Sequence, residues 1–420
     1  MTIFELKQCG ASIFFDTVRL SRRRWSAAKI LLAVFLWVVP NAAIAQIVAP
    51  AAPCNSIAGT IATCSGDLHQ GVLAISPTFQ SLNVTTSTDI TPLAGIDGVR
   101  FVDVTNGNNL SIKVNTTGAP LGIVTTDGAS GISLTSDLPL TNYGDGSISS
   151  TANIDAKGTS GIGINANRTA FSSNAASPAS ATSGILTVAS HGNIQTELNG
   201  TGIISHNEAF ANSGTAAATA VTGDVTVTST VNIFSGDALG NTGGIGIRAS
   251  SISLASGSGN GDAVSKTGAV SVTSTGNISV GNGGWGIWTT VAAGAVSQNG
   301  AASAASGDTL VRNAGTITAG FGGFGITTEN NTSGGTNSHV ASLSPGDTTI
   351  VNTGSVAAGS NGFGIRAFNF SSGALGKTTI TNSGNVSAGD NGIGIFIVQL
   401  NSGSPPSGDA TINIELAPVV

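Results

Sequence analysis

The chain has 420 residues, of which 59 are glycine and 9% are charged, and its formal net charge is −6. Ordinary proteins contain about half as much glycine and about 25% charged residues, so this composition excludes coiled coils, charged helical solenoids and basic nucleic-acid-binding proteins. Because 40% of the residues are hydrophobic, the chain also differs from ordinary disordered proteins, which combine low hydrophobicity with high charge.

Residues 1–45 have the three parts of a secretory signal peptide. Basic residues precede an apolar run from Ile30 to Val39, and the small residues of a cleavage site follow in Ala43-Ile44-Ala45. The apolar run is about ten residues long, whereas a membrane span needs roughly 20, which disfavours the alternative of a retained membrane anchor. We therefore predict an exported chain that is cleaved between Ala45 and Gln46.

Cleavage would make the chain more acidic. It would remove six of the 15 basic residues and two of the 21 acidic ones, leaving a formal net charge of −10. An acidic exported protein repels phosphate groups and anionic lipid surfaces. We therefore expect no nucleic acid among its partners.

Residues 46–80 are predicted to form an N-terminal cap that contains one disulfide. Cys9 would leave with the signal peptide, so Cys54 and Cys64 remain, ten residues apart. In an oxidising compartment such a pair forms a disulfide, which for a loop of this length stabilises the fold by about 2–3 kcal/mol. The proline before Cys54 argues against a lipoprotein, and the absence of further Cys or paired His argues against zinc.

A tetrapeptide of the form Gly-x-Gly-Ile recurs through the rest of the chain. Its first glycines are spaced 39, 44, 40, 39, 39 and 30 residues apart and are Gly161, Gly200, Gly244, Gly284, Gly323, Gly362 and Gly392. Each tetrapeptide closes a unit of about 21 residues, as in the one that begins at Thr348. Each unit contains three short alternating segments separated by Gly and Asn, which is typical of β-strands and turns.

Stacking these units at the strand spacing predicts ladders of equivalent residues. One apolar row would contain Ile154, Ile194, Ile233, Ile278, Ile317, Val356 and Val386. A second would contain Ile164, Ile203, Ile247, Ile287, Ile326, Ile365 and Ile395, with Ile162, Ile245, Trp285, Phe324, Phe363 and Ile393 on the same face two residues earlier. Asn313, Asn352 and Asn382 are expected to form an amide ladder, with Ser274 in the equivalent place one unit earlier.

These rows predict an all-β chain folded as a right-handed parallel β-helix of about nine or ten coils over residues 81–420. The alternative, a disordered low-complexity chain, gives no reason for periodic isoleucines. The longer units contain inserts rich in Ala, Ser and Thr, which we expect on one face as projecting hairpins or mobile loops. The inserts are Asn167–Ser183, His206–Thr222, Ser250–Thr267, Thr290–Ser306 and Thr328–Pro345.

One repeat unit contains the run from Thr379 to Val386, followed by Gly392-Ile393-Gly394-Ile395. With these residues the repeat resembles the passenger region of autotransporter proteins, which Gram-negative bacteria export by type V secretion. The resemblance implies a β-helix at the cell surface or released from it, often adhesive, and export through an outer-membrane barrel. The chain up to Val420 contains no series of membrane strands, so we expect a truncated or split passenger, periplasmic if its translocator is missing.

The sequence predicts no catalytic residue, cofactor or metal site. Asp308, Asp347 and Asp409 recur in Gly-Asp pairs ahead of a strand, which is typical of turns, and no histidine has a Ser or Asp partner at a recognisable spacing. Two alternatives stay open. A carbohydrate-active β-helix, similar to polysaccharide lyases or hydrolases, would need converging carboxylates, and a pure structural spacer would need no ligand.

One row of residues is a candidate ligand-binding face. Each member follows a buried isoleucine, so alternation along the strand directs it outward. The row contains Ile204, Arg248, Trp288, Thr327, Arg366 and Phe396. Its arginine and aromatic side chains are suited to a surface glycan or a protein partner. The alternative is that the inserts fold over this row and bury it.

Overall fold

The computed structural model describes residues 46–49, 51–57, 59–117, 122–136, 138–238, 244–337, 340–402 and 408–414. The predicted signal peptide, including Ala45, lies outside these residues. Across the described ranges the chain contains 37 strands in four sheets and no helix. Successive turns of the chain pair in parallel, which confirms the parallel β-helix.

The long sheet contains the strands that end each coil. Among the described residues from 81 onward it has nine strands, in agreement with the predicted nine or ten coils. Its strands are β1 (Ile47–Val48), β4 (Val72–Ile75), β6 (Val99–Asp103), β9 (Ser130–Ser136), β13 (Ile162–Asn174), β17 (Thr201–Ser213), β21 (Ile245–Gly257), β25 (Trp285–Ser297), β29 (Phe324–Thr336), β33 (Phe363–Ser371) and β36 (Ile393–Asn401).

Two further sheets complete the main β-helix. The second sheet contains β2 (Cys54–Ile57), β3 (Ile61–Gly66), β5 (Ser81–Thr86), β7 (Leu110–Thr116), β11 (Gly146–Ser150), β15 (Leu186–Ser190), β19 (Val225–Ser229), β23 (Val270–Ser274), β27 (Thr309–Asn313), β31 (Thr348–Asn352), β34 (Thr378–Asn382) and β37 (Ala410–Ile414). The short sheet contains β8 (Gly122–Thr125), β12 (Asn153–Ala156), β16 (Ile194–Thr196), β20 (Ile233–Ser235), β24 (Ile278–Val280), β28 (Ile317–Ala319), β32 (Val356–Ala358) and β35 (Val386–Ala388).

The inserts form a fourth, return sheet rather than irregular loops. The long-sheet strands continue into each insert, and the chain then turns back as a strand of the return sheet. These strands are β10 (Asn142–Tyr143), β14 (Ala179–Ser183), β18 (Ala218–Thr222), β22 (Ala263–Lys266), β26 (Ala302–Ala305) and β30 (Ser342–Ser344). The small inward residues of both strands, such as Ala209 and Ala220, pack together in a second buried cluster, which explains the alanine content of the inserts.

The apolar rows of the main core follow the predicted register. Ile194 pairs with Ile233 in the short sheet, and Ile287 pairs with Ile326 in the long sheet. These residues and most of their equivalents in the other coils belong to one continuous buried cluster, and Val386 and Ile395 of the last coil are partly buried and pack against it. Burial at about 25 cal/mol per Å² of apolar surface makes this core the main stabilising contribution.

The residue between the two glycines of the tetrapeptide faces outward, contrary to the sequence expectation. The second glycine itself points into the core, since a Cβ on Gly286 would overlap Cγ2 of Ile317. The following Ile287 is also fully buried. Because two consecutive positions face inward, Trp285 and the equivalent Phe324 and Phe363 lie on the outer face, and only a glycine fits between them and the core.

Buried amides connect the coils at two places. The predicted ladder is present: Asn313 donates to Asn352 (Nδ2–Oδ1 2.8 Å), which donates to Asn382 (2.7 Å). A second row lies where the main core meets the alanine cluster. There the Asn207 amide donates to the backbone oxygens of Gly184 and Gly223, at 2.8 and 3.1 Å. These amides satisfy carbonyl groups that the turns would otherwise bury unpaired.

Parallel stacking begins before residue 81. Strand β3 pairs in parallel with β5, and β1 pairs in parallel with β4, so the segment 46–80 already contributes to the first coils. Among the described strands only β2 runs antiparallel, paired with β3. Cys54 lies opposite Cys64 in this hairpin, and their Sγ atoms are 1.96 Å apart in a disulfide.

Candidate functional site

The outer face of the long sheet contains the row that the sequence singled out. Ile204, Arg248, Trp288, Thr327, Arg366 and Phe396 occupy equivalent positions on successive strands. The return sheet packs against inward residues such as Ala209 and Ala293, on the opposite face of the long strands. The inserts therefore do not fold over this row.

Aromatic side chains form a continuous ladder on this outer face. The centroids of Trp285 and Trp288 are 4.2 Å apart, and those of Trp285 and Phe324 are 4.7 Å apart. The ladder continues from Phe324 to Phe363 at 5.3 Å, with planes only 5° apart, and to Phe396 at 5.6 Å. The other three pairs are tilted by 36–43°, so each ring contacts its neighbour along the ladder.

Two arginines cover further faces of this aromatic ladder. The Arg248 guanidinium lies 4.6 Å from the Trp288 ring centroid, and that of Arg366 lies 5.7 Å from Phe324. Burial raises the pKa of the Glu329 carboxyl, and this effect outweighs the charges of both arginines, which lower that pKa. The ring faces that a sugar would need are thus largely occupied by neighbouring side chains, so this part of the predicted row is better suited to holding coils together.

A polar cluster on the same face brings together residues that spacing alone did not connect. His206 Nε2 lies 2.7 Å from Glu208 Oε1, and its Nδ1 contacts the hydroxyl of Ser250 in the next coil. Thr169 from the preceding coil donates to Glu208 Oε2 at 3.0 Å. Burial raises the pKa of Glu208, but the hydrogen bonds from His206 and Thr169, with the charges of His206 and Arg248, hold it below its ordinary value.

This cluster has the order of groups found in serine hydrolases, but not their accessibility. Ser250 is only 1% exposed, so its hydroxyl is not presented to a substrate. This contact could not be predicted from spacing, because Ser250 follows His206 by 44 residues, one whole coil. The geometry favours a structural hydrogen-bonded cluster over a nucleophile activated by a base.

A groove of about 670 Å³ lies beside the polar cluster, toward the N-terminal coils. Its floor consists of outward residues of β9 and β13, such as Thr135, Asn167 and Thr169. The segment that contains Leu138 and Pro139 forms one wall. Apart from Phe171, the outward residues of β9 and β13 at the groove are small or polar, whereas the next strands present histidine, glutamate, arginine and tryptophan.

The recurrent aspartates at the corners act on the backbone. Asp308 Oδ1 accepts a hydrogen bond from the N–H of Asp347 in the next coil at 2.8 Å, and Asp347 Oδ1 accepts one from the N–H of Lys377 at 2.7 Å. Asp224 binds the N–H of Ala269 in the same way. These carboxylates join successive coils, as turn residues do.

Two further observations concern the described residues as a set. Within the described ranges no three or more His, Cys, Asp or Glu side chains gather in a way that could hold a metal ion. Nor do those ranges contain a helix with the length and apolar character of a membrane span.

No family model, no curated protein and no solved structure matches the chain.

Proposed function

We propose that the chain is an exported β-helical surface protein with a structural or adhesive role, similar to an autotransporter passenger. The observation that carries the proposal is the long sheet, whose strands stack in unbroken parallel register while its outer face is left open by the inserts. A scaffold of this kind presents side chains over many coils, which suits contact with an extended partner. That partner is a glycan or protein on a host or neighbouring cell.

The disulfide supports a role outside the cytoplasm, and the composition argues against one class of partner. The disulfide joining Cys54 and Cys64 is of the kind that persists in oxidising compartments. The low content of charged residues and the acidic balance do not suit nucleic acid. In this proposal the chain passes an outer-membrane barrel and reaches the cell surface or the medium. The proposed role is non-catalytic, since the buried hydroxyl of Ser250 is not available to a substrate.

Export is tested by expressing the full chain in a Gram-negative host and fractionating the cells. We expect a product that begins at Gln46 in the periplasm, at the surface or in the medium. Uncleaved protein confined to the cytoplasm would contradict the proposal. A fluorophosphonate probe should leave Ser250 unlabelled, and labelling abolished by Ser250→Ala would contradict the non-catalytic role.

Adhesion is tested with beads coated with the exported chain. Binding of the beads to bacterial or animal cells above albumin-coated beads is the expected result. If the chain is exported but its beads bind no cell or glycan surface, the adhesive role is contradicted and the structural spacer role is the one supported.

A further inference from the structure

The groove over β9 and β13 differs from the rest of the outer face in what it exposes. Phe171 at one end of its floor is 46% exposed. No ring contact to Phe171 is made by the described residues, in contrast to the stacked rings of the aromatic ladder. Phe171 is thus the exposed apolar group of the groove, with Phe210 in register on the next strand.

The remainder of the floor consists of groups that form hydrogen bonds. Asn165, Asn167, Thr169 and Phe171 occupy alternate positions of β13 and so point to the same side, over a length of about 20 Å. Asn165 Oδ1 is buried and accepts no hydrogen bond from any described residue. A buried acceptor without a partner is costly. Asn165 lines the groove, so rotation of its side chain toward the groove would let a ligand hydroxyl donate to this oxygen.

The wall of the groove is held in place before any ligand binds. Phe171 N–H donates to the backbone oxygen of Leu140 at 2.8 Å. The Tyr143 hydroxyl donates to the backbone oxygen of Leu138 at 3.3 Å. Tyr143 itself is buried, with the Arg168 guanidinium 5.5 Å from its ring centroid. A preformed wall lowers the entropy cost of binding.

The charges around the groove disfavour an acidic ligand. Asp97 and Arg100 at one end have opposite signs, and the β13 floor is uncharged. Glu208 lies beside the floor, within hydrogen-bonding distance of Thr169, and its lowered pKa keeps it negative at neutral pH. Carboxylated or sulfated ligands would meet the carboxylates of Asp97 and Glu208, with Arg100 as a cation at one end of the groove.

From this geometry we propose that the groove over β9 and β13 binds a short segment of a neutral oligosaccharide. A pyranose ring has an apolar face of C–H groups that packs on an open aromatic ring, and a rim of hydroxyls that pairs with amides and threonines. In the groove the ring of Phe171 packs on the C–H face of the sugar. Asn165, Asn167 and Thr169 form hydrogen bonds with its hydroxyls. This inference rests on the proposed adhesive function and names its ligand class.

The experiment applies the exported chain to an array of neutral, carboxylated and sulfated oligosaccharides of four to six units, and then titrates the best-bound neutral one by calorimetry. Phe171→Ala and Asn167→Ala should each weaken binding about tenfold or more, a change of about 1.4 kcal/mol. Phe321→Ala is the matched control, because Phe321 is 60% exposed but lies at a turn of another coil. It should bind like the wild type, and all variants should melt alike.

Three results would overturn the inference: no neutral oligosaccharide binds, acidic oligosaccharides bind better, or Phe171→Ala and Asn167→Ala bind as well as Phe321→Ala. The proposed function is judged separately. If beads coated with the Phe171→Ala chain still bind cells as well as wild type, the groove is not the adhesive site, and the broader proposal stands. If the wild-type chain is not exported, the proposed function itself fails.

Discussion

The inward glycine of the tetrapeptide makes a specific prediction for Gly364→Ala. A Cβ at this position would lie 2.5 Å from the backbone oxygen of Gly394 and 2.6 Å from Cγ1 of Val386, closer than real Cβ contacts allow. Adding a methyl group to a filled core typically costs about 1–3 kcal/mol. Because one clash is with a backbone atom in the next coil, we expect a loss of about 2–3 kcal/mol.

Gly335→Ala is the matched control for this prediction. Gly335 lies in the neighbouring strand β29, and a Cβ there would meet no atom within 4 Å. Its free energy of unfolding should change by no more than about 0.5 kcal/mol. Urea unfolding, monitored by far-UV circular dichroism, gives the free energies of unfolding of both variants from the midpoints and slopes of the curves. Equal losses in the two variants, or a larger loss for Gly335→Ala, would refute the inward placement of the glycine.

Three other predictions concern the amide ladder, the disulfide and a buried carboxyl. Asn352→Ala leaves its two ladder partners incompletely bonded and should cost about 1–3 kcal/mol in the same unfolding assay; a change below about 0.5 kcal/mol would contradict the ladder's role. Cys54→Ser should lower stability by about 2–3 kcal/mol under oxidising conditions, and it should unfold like the wild type once both are reduced. Burial raises the pKa of Glu329, so the folded chain binds this proton more tightly than the unfolded chain and loses stability as pH rises from the ordinary pKa toward the raised one. Glu329→Gln should remove this loss of stability with rising pH. If the unfolding midpoints of the variant and the wild type fall equally from about pH 4 to about pH 7, the prediction is wrong.

The main core could be predicted because its signal is periodic and local. Residues such as Ile326 recur at fixed distances from a glycine pair, and stacking in parallel register then places them in rows. The orientation of Trp285 could not be predicted by simple alternation, because two consecutive inward positions at Gly286 and Ile287 interrupt the two-residue period.

The return sheet and the groove had weaker signals. Alternating Ala and Ser are consistent with a loop as well as with a strand. The composition of the inserts therefore did not indicate that the long-sheet strands extend into them to a length of 13 residues. The groove depends on Leu138 and Pro139, which lie outside the recurring unit. The contact of His206 with Ser250 depends on the register between two coils and not on spacing within one.

The most direct test of the parallel β-helix measures distances between coils in residues 46–420. A spin label at the outward Thr187 is paired in turn with labels at Thr349, Thr379 and Thr411, which lie four, five and six strands further along the second sheet. At about 4.8 Å per strand, double electron–electron resonance should give distances near 19, 24 and 29 Å, each with a narrow distribution. Distances that do not increase by one strand spacing per coil, or broad overlapping distributions, would contradict the stacked register on which the proposed surface and its groove depend.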